Sequence, residues 1–540
     1  MTPYGTDLTP LARELARTFG ATDEDFGPLV GLLRKLLQAQ GRGDTAIPVS
    51  EEEETWLATR PWVSDDGHTP LVLRDGWLQF QRLWKAEARI ARRLRAMTTA
   101  SARQTETTLD DAFLAAADQF GLDGEKLTAI RRMLGQRLTL LTGGPGTGKT
   151  TTLAWLLAAH LRAEAGLDFA LAAPTGKAAQ RMSDAIGNAA GDLPLDDAAR
   201  ARLAAVTPVT LHRLLSMDGN GRPGHHAGNP LPHALVVVDE ASMVDVTLMA
   251  QLVDALRPDA RLVLMGDPDQ LASVEAGRVL SDLIDGLPEA HVQLEKTHRF
   301  PASIKALADA IRQGESDSAW RHITQNGQRL DTDLMTAMVD GHADYAAALR
   351  QPAGEPAAQA RALLEALERF RVLAPLRRGP TGVETLNRTL LLHWASQGLL
   401  QPAGEGVWAG MPVLVTRNAP GLGLSNGDTG VLVPDGSLLK AWFRRGKDVE
   451  GLPLTALPPW EPALAMTVHK AQGGEFDRVL LVLPDSPHEL VSRQLLYTAV
   501  TRAKKAFRLA GDEAVLRSGI ERPISRTSRL LTRLRETDGA

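Results

Sequence analysis

Gly143, Gly144, Pro145, Gly146, Thr147 and Gly148 run directly into Lys149, Thr150 and Thr151, and these residue types in this order can hold a triphosphate. Glycines let the backbone turn tightly and aim its N–H groups inward, while the N-terminus of a following helix adds the positive end of its dipole. Lys149 then neutralises the β and γ oxygens, and the Thr150 hydroxyl ligates Mg²⁺. Hydrolysis calls for two further carboxylates: Asp239 to hold the metal through water, and Glu240 to orient or deprotonate the attacking water. In Gly266-Asp-Pro-Asp-Gln270 the amide of Gln270 is placed to sense a γ-phosphate. Phosphoryl transfer also draws on positive charge that arrives as a site closes, worth about 10³ to 10⁵ in rate. The candidates are Arg299 and Arg502, each of which taken singly is also an ordinary salt-bridge residue.

Such groups must be brought to one edge of a parallel sheet, where ligands bind outside the carboxyl ends of the strands. From about residue 110, short apolar runs alternate with helical stretches, the pattern of a parallel sheet wrapped by helices. The expected strands are 138–142, 169–173, 235–238 and 262–265, with a second set at 372–375, 479–483 and 506–510. The fold class is therefore α/β, with two such units behind a head of about 110 residues. Between the units, residues 301–370 are Ala-rich and helical, while 410–457 carry Asn426-Gly427 and Pro434-Asp-Gly436 turn signals and read as a small inserted β module. In the head, apolar spacing predicts helices within 8–19 and 26–37, and Ser50 with Glu53 makes a capping box. Trp77, Phe80 and Trp84 recur at helical spacing and lead into Arg89, Arg92, Arg93 and Arg95. The stripe reads as core and the Arg run as a solvated face, with a docking or DNA-facing surface as the alternative. Residues 99–108 read as a linker.

At 540 residues the chain is too long for one core and divides into three or four units at about 150 residues each. A hydrophobic share of 44% with 23% charged residues is that of a soluble globular protein. Cysteine is absent, which excludes disulfides, thiolate metal sites and a catalytic thiol, and a reducing cytoplasm is the expected compartment. With no basic and apolar leader and no apolar run near about 18 residues, neither export nor membrane insertion is expected. The formal net charge of −5 leaves any nucleic-acid contact to local basic patches or to a partner.

Taken in order, seven segments resemble the motifs of the superfamily-one DNA helicases, most closely the RecD branch. They are Gly-Gly-Pro-Gly-Thr-Gly-Lys-Thr at 143, Ala-Pro-Thr-Gly-Lys-Ala-Ala at 173, Thr-Leu-His-Arg-Leu-Leu at 210, Asp-Glu-Ala-Ser-Met at 239, Gly-Asp-Pro-Asp-Gln-Leu at 266, Thr-Val-His-Lys-Ala-Gln-Gly at 467 and Tyr-Thr-Ala-Val-Thr-Arg-Ala at 497. The resemblance covers roughly residues 110 to 510, with a fainter match in 70–87. It implies a helical docking domain at 1–110, then two RecA-like P-loop motor domains at 111–295 and 296–540, with a small SH3-like β insert at about 408–460. ATP and Mg²⁺ would lie in the cleft and single-stranded DNA across the top.

By the same resemblance Lys149, Thr150, Asp239 and Glu240 serve ATP and Mg²⁺, Gln270 senses the γ-phosphate, and Arg299 and Arg502 are trans-cleft arginines. Glu475 matches a nucleotide-contacting carboxylate, and Thr175, Lys177, His212, Thr467 and His469 match positions that touch the DNA strand or couple it to ATP. Where relatives often carry a Gln that reads adenine, this chain has Lys126 or Glu125. Residues 216–232 fall where relatives place a strand-splitting pin, a flexible loop being the other reading. Movement from 5′ to 3′ is implied, as are partners similar to RecB and RecC in a heterotrimer acting on DNA ends, with the nuclease site in the RecB-like chain. The alternatives are a free-standing helicase of the same branch, which the short head disfavours, and a catalytically silent P-loop subunit, against which Lys149, Glu240, Gln270 and Arg502 argue.

Overall fold

Six parallel strands form the sheet that carries the glycine-rich loop, in the spatial order His291–Leu294, Leu138–Gly143, Arg261–Gly266, Leu235–Val238, Phe169–Ala173 and Val209–Thr210. This computed structural model describes residues 7–101, 109–273, 275–296, 301–330, 332–446 and 448–536. The four central strands are buried along almost their whole length. Helices cover both faces of such a sheet, so its strands read as continuous apolar runs rather than alternating ones. Helix Lys149–Ala163 starts directly on the loop and is itself nearly enclosed, with Trp155 fully buried and edge-on to Phe113 at 5.3 Å between ring centroids.

A second parallel sheet follows in the order Ala465–Thr467, Phe370–Ala374, Phe476–Val482 and Ala503–Ala510. The two sheets are the centres of two lobes. Five helices between Ala302 and Arg369 precede the second sheet. The β insert is a five-stranded antiparallel sheet in the order Asp448–Pro453, Leu438–Arg445, Thr429–Asp435, Pro412–Val415 and Trp460–Pro462.

The head is not helical throughout. Helices Thr9–Thr18, Asp23–Arg42 and Glu51–Ala58, the last opened by the Ser50–Glu53 capping box, pack on a sheet of Ala46–Pro48, Trp77–Phe80, Leu71–Arg74 and Val63–Ser64. Trp77 and Phe80 therefore lie on a strand, and only Trp84 lies on helix Gln81–Ser101. Asp75 and Gly76, at φ +52° and +74°, make the two-residue turn that pairs Arg74 with Trp77. Two consecutive left-handed residues match the right-handed twist of the strands, which is why Asp-Gly favours this hairpin.

Helix Gln81–Ser101 leaves the head and sets Ala86, Ile90, Ala91, Leu94 and Met97 into the first lobe's core against helix Val246–Ala255. Burying each of the larger side chains contributes about 1.5–3 kcal/mol. Arg89 pairs with Asp254 at 2.7 Å, and Arg93 donates to the Leu256 and Arg257 carbonyls at 3.2 and 2.7 Å, so these arginines fasten the helix to the lobe.

Past helix Glu513–Ile520 the chain returns to the first lobe, where helix Leu530–Arg535 buries Leu530 and Leu534 in the same core. Glu87, fully buried, accepts from Thr45 Oγ1 at 2.7 Å, Gln79 Nε2 at 3.0 Å and the Arg529 N–H at 3.1 Å, and faces Arg533 at 3.6 Å. Residues 527–536 were expected in the second motor domain and helix Gln81–Ser101 in the head; both pack on the first lobe.

Candidate active site

At the end of strand Leu138–Gly143 the backbone turns through Gly146 and Gly148 at φ +82° and +85° and enters the helix at Lys149. A side chain at Gly148 would be strained by the left-handed backbone, and its Cβ, 2.8 Å from Lys126 Cε, would also have to displace the end of that lysine. Lys149 Nζ donates to the Gly143 carbonyl at 2.6 Å and the Gly144 carbonyl at 3.2 Å, which sets its ammonium at the mouth of the loop. Thr150 and Thr151 are half-buried in the first helical turn beside it.

Asp239 and Glu240 follow strand Leu235–Val238 at the same sheet edge. Glu240 is left-handed, φ +52°, a conformation that costs a non-glycine residue about 1–3 kcal/mol and clusters at functional sites. Burial, and then the neighbouring Glu240 carboxylate, push Asp239 above the usual carboxylate range, with Lys149 opposing. One strand over, burial also raises Asp267, against Lys149 and against bonds from Gln270 and Tyr497.

The second lobe meets this edge through helix Arg493–Val500 and the residues after it. Arg502, 1% exposed, donates through Nη2 to Gln270 Oε1 at 2.9 Å, through Nη1 to the Gly474 carbonyl at 3.1 Å and through Nε to the Thr498 carbonyl at 3.1 Å. Burial lowers its pKa, and the Glu240 and Glu475 carboxylates oppose that shift. Gln270 Nε2 in turn donates to Asp267 Oδ2 at 3.0 Å, which also accepts from the Tyr497 hydroxyl at 3.1 Å. Thr498 Oγ1 accepts from the Leu271 N–H at 3.0 Å, and Gln472 donates to the Leu271 carbonyl at 2.9 Å. A cavity of about 790 Å³ opens beside these contacts, lined by Gly144, Thr147, Asp267 and Gln270 from the first lobe and by Arg312 and Tyr497 from the second. That is the size of a small-molecule site.

Residues 121–331 match the model of the AAA domain family, and residues 462–510 that of the UvrD-like helicase C-terminal domain. The RecBCD enzyme subunit RecD of Mycolicibacterium smegmatis is 41% identical, covering 90% of this chain and 87% of that one. The chain belongs to the RecD family of DNA helicases. The RecD subunit of Mycobacterium tuberculosis is 37% identical over 98% of this chain and 94% of its own. The ATP-dependent RecD2 DNA helicase of Deinococcus radiodurans is 34% identical over 77% of this chain and 53% of its own.

In this RecD-family chain Arg502 and Gln270 bond across the lobes, Glu240 acts electrostatically on Arg502, and Lys149 does so on Asp239. Gln270 lines the cavity, whereas Lys149, Thr150, Asp239, Glu240 and Arg502 lie outside its lining, and Arg299 lies outside the described residues. The two residues at the adenine-reading position are engaged: Lys126 pairs with Asp123 against the loop, and the Glu125 carboxylate accepts from the Glu295 and Lys296 N–H groups at 2.6 and 3.3 Å. Glu475 does not line the cavity; it pairs with Arg181. Lys177 sits between the lobes with its ammonium 5.0 Å above the Phe476 ring, and burial, with Arg371 and Arg181, pushes it down to about 7. Thr175 Oγ1 caps helix Gly176–Ala189 by accepting from the Ala178 N–H at 3.2 Å. Thr467 Oγ1 accepts from the Lys470 N–H at 3.3 Å, and His469 follows in the same turn, half-buried and held down by burial and Arg526. His212 is exposed at the sheet's outer edge beside Val209–Thr210, apart from the cleft. Residues 216–232 fold as turns joined by a bridge between His226 and Asn229.

Sequence reasoning missed Arg181, Asp267 and the Tyr497 hydroxyl. Tyr497 and Asp267 lie within two of the seven motif segments, but 230 residues separate them and their pairing leaves no local signal. Arg181 carries no local signal, being one basic residue on an amphipathic helix.

Proposed function

We propose that this chain is the ATP-driven motor subunit of a RecBCD-type exodeoxyribonuclease that opens DNA from double-strand ends, moving 5′ to 3′ along one strand. As a RecD-family protein it is an ATP-dependent DNA helicase. The glycine loop and Lys149 bind the triphosphate. Thr150 and Asp239 offer a hydroxyl and a carboxylate, and that oxygen donor set suits Mg²⁺. Bound there, the ion would supply charge neutralisation on the β and γ oxygens. Glu240 orients the attacking water.

Gln270 and Arg502 complete the site from opposite lobes, with Arg299 the second arginine of the reading. Closure on nucleotide and reopening after hydrolysis shift the two lobes between states. Thr175, Lys177, His212, Thr467 and His469 are assigned to the strand side of that cycle. The RecC-like partner would dock on the head, whose own apolar core is separate from those of the motor lobes. The subunit reading is supported by this chain's coverage of 87% and 94% of two RecBCD enzyme subunit relatives, against 53% of the RecD2 DNA helicase.

The observation that carries the proposal is the Arg502–Gln270 bond across the cleft beside the glycine loop. The test is ATP turnover of the full chain, alone and co-expressed with its RecB-like and RecC-like subunits, with single strands and with duplexes bearing 5′ or 3′ overhangs. Stimulation by single strands of at least about tenfold, a lowering of the barrier by about 1.4 kcal/mol, and unwinding from 5′ overhangs are expected. Absence of stimulation would sink the motor reading, and unwinding only from 3′ overhangs the polarity.

A further inference from the structure

Gly473 and Gly474 form a turn of the second lobe on which a helix of the first lobe rests directly. Gly473 is left-handed, φ +67°, and a Cβ there would lie 3.2 Å from Thr175 Oγ1; one on Gly474 would lie 2.8 Å from Lys177 Cε and 3.1 Å from the Ala471 carbonyl. Lys177 and Arg181 stand four residues apart on helix Gly176–Ala189 and so share a face. That face grips the second lobe twice. Lys177 sets its ammonium over Phe476, whose ring also meets the Arg371 guanidinium at 4.8 Å. Arg181 donates to the Gly473 carbonyl at 3.1 Å and pairs with Glu475, which is 7% exposed and has Lys504 4.0 Å away.

We propose that Arg181 is a positioning residue that latches the Gly473–Glu475 turn to the first lobe and thereby couples the DNA side of the motor to Arg502. The proposal rests on the motor reading above. Its path is continuous: Arg181 holds the Gly473 carbonyl and Glu475, the adjoining Gly474 carbonyl accepts from Arg502 Nη1, and Arg502 Nη2 reaches Gln270. The helix that carries Arg181 starts at Thr175 and Lys177, two of the residues assigned to the strand side. A strand that moves this helix therefore moves the turn, and the turn carries one of the three acceptors of Arg502. Arg181 also feels Asp239 and Glu240 electrostatically: although burial opposes its charge, Glu475 and Glu240 outweigh that and hold it firmly protonated.

The experiment measures steady-state ATP turnover of the full chain, with and without a poly-thymidine oligonucleotide, for wild type, Arg181→Ala and Arg181→Lys. Arg181→Ala should lower the DNA-stimulated kcat by about tenfold, with KM for ATP within about threefold and DNA-free turnover within about threefold. Arg181→Lys should fall between, because an ammonium keeps the charge but not the fork that reaches both acceptors. A loss confined to the DNA-stimulated rate is what a merely structural role would not produce. Equal losses with and without DNA, or an unchanged stimulated rate, would overturn the latch. If Arg181→Ala does not fold, Arg181→Lys decides: a DNA stimulation ratio lowered about threefold supports the latch and an unchanged ratio overturns it. A wild-type chain without DNA stimulation overturns the motor reading and the latch together.

Discussion

Arg502 of the second lobe and Gln270 of the first, both buried, share a 2.9 Å hydrogen bond across the cleft. Two further acceptors, the Gly474 and Thr498 carbonyls, hold the guanidinium plane. Arg502→Ala should lower DNA-stimulated kcat by about 10³, the scale of losing a trans-acting arginine. Arg502→Lys should not restore it, since one ammonium cannot span three acceptors arranged around a planar fork. Steady-state turnover at saturating ATP decides; a Lys variant near wild-type rate would mean that Arg502 supplies charge alone.

Lys149→Gln should leave folding and assembly intact and remove ATP turnover by at least about 10³-fold. Among the described residues its ammonium hydrogen-bonds to two loop carbonyls, so the melting temperature should shift by a few degrees, about 1 kcal/mol. Turnover equal to wild type would show that hydrolysis occurs elsewhere.

The central strands of both lobes were legible to within a few residues because parallel strands buried on both faces leave unbroken apolar runs, as Leu235–Val238 does. The Ser50–Glu53 cap was legible for a local reason too, since both bonds close within one turn. The hairpin at Asp75-Gly76 was written just as locally, but the spacing of Trp77, Phe80 and Trp84 fits a helix equally well as a strand running into one. Arg181 and the burial of Lys177 were not legible, because their partners are about 300 residues away and meet them only through packing of the lobes. The same holds for helix Gln81–Ser101, whose apolar face predicts burial but not against which core.

Each lobe holds a buried imidazole pushed down to about 4: His160 by burial and then Arg261, His342 by burial and then Arg371, with its bond to the Met338 carbonyl opposing. An imidazole whose folded pKa lies below its unfolded one takes its proton later in the folded state. On acidification the unfolded chain therefore binds protons first, and stability is lost as pH falls from 6.5 toward 4. The slope is at most about 1.4 kcal/mol per pH unit for each ring. Urea midpoints at pH 7 and 4.5 measure it. His342→Phe, which can keep the edge-on contact with Phe370, should flatten the curve, and an unchanged slope would place the acid sensitivity elsewhere.

Glu87→Ala should destabilise the first lobe by about 3–5 kcal/mol, because it strands Arg533 and the hydrogen-bond donors of Thr45 and Gln79 without their buried acceptor. It should also release helix Leu530–Arg535, read as faster tryptic cleavage after Arg529 and Arg533. A loss below about 1 kcal/mol would mean that the apolar contacts of Leu530 and Leu534 hold the segment unaided. For the same reason, a truncation meant to remove only the head should end at residue 80, since removal through 110 would strip Ile90 and Leu94 from the motor's core.

The return of residues 527–536 to the first lobe has a mechanical meaning. The polypeptide crosses between lobes before helix Ala302–Gln313 and crosses back near Arg526, which is pinned on the Ser273, Glu275 and Gly277 carbonyls. On the outward crossing, the Glu295 and Lys296 amides are pinned on Glu125. A body fastened at two separate points swings about the line through them, as a door does on a pair of hinges, whereas one on a single stalk can also twist. Rotation about that line is thus the lobe motion that two such chain connections oppose least.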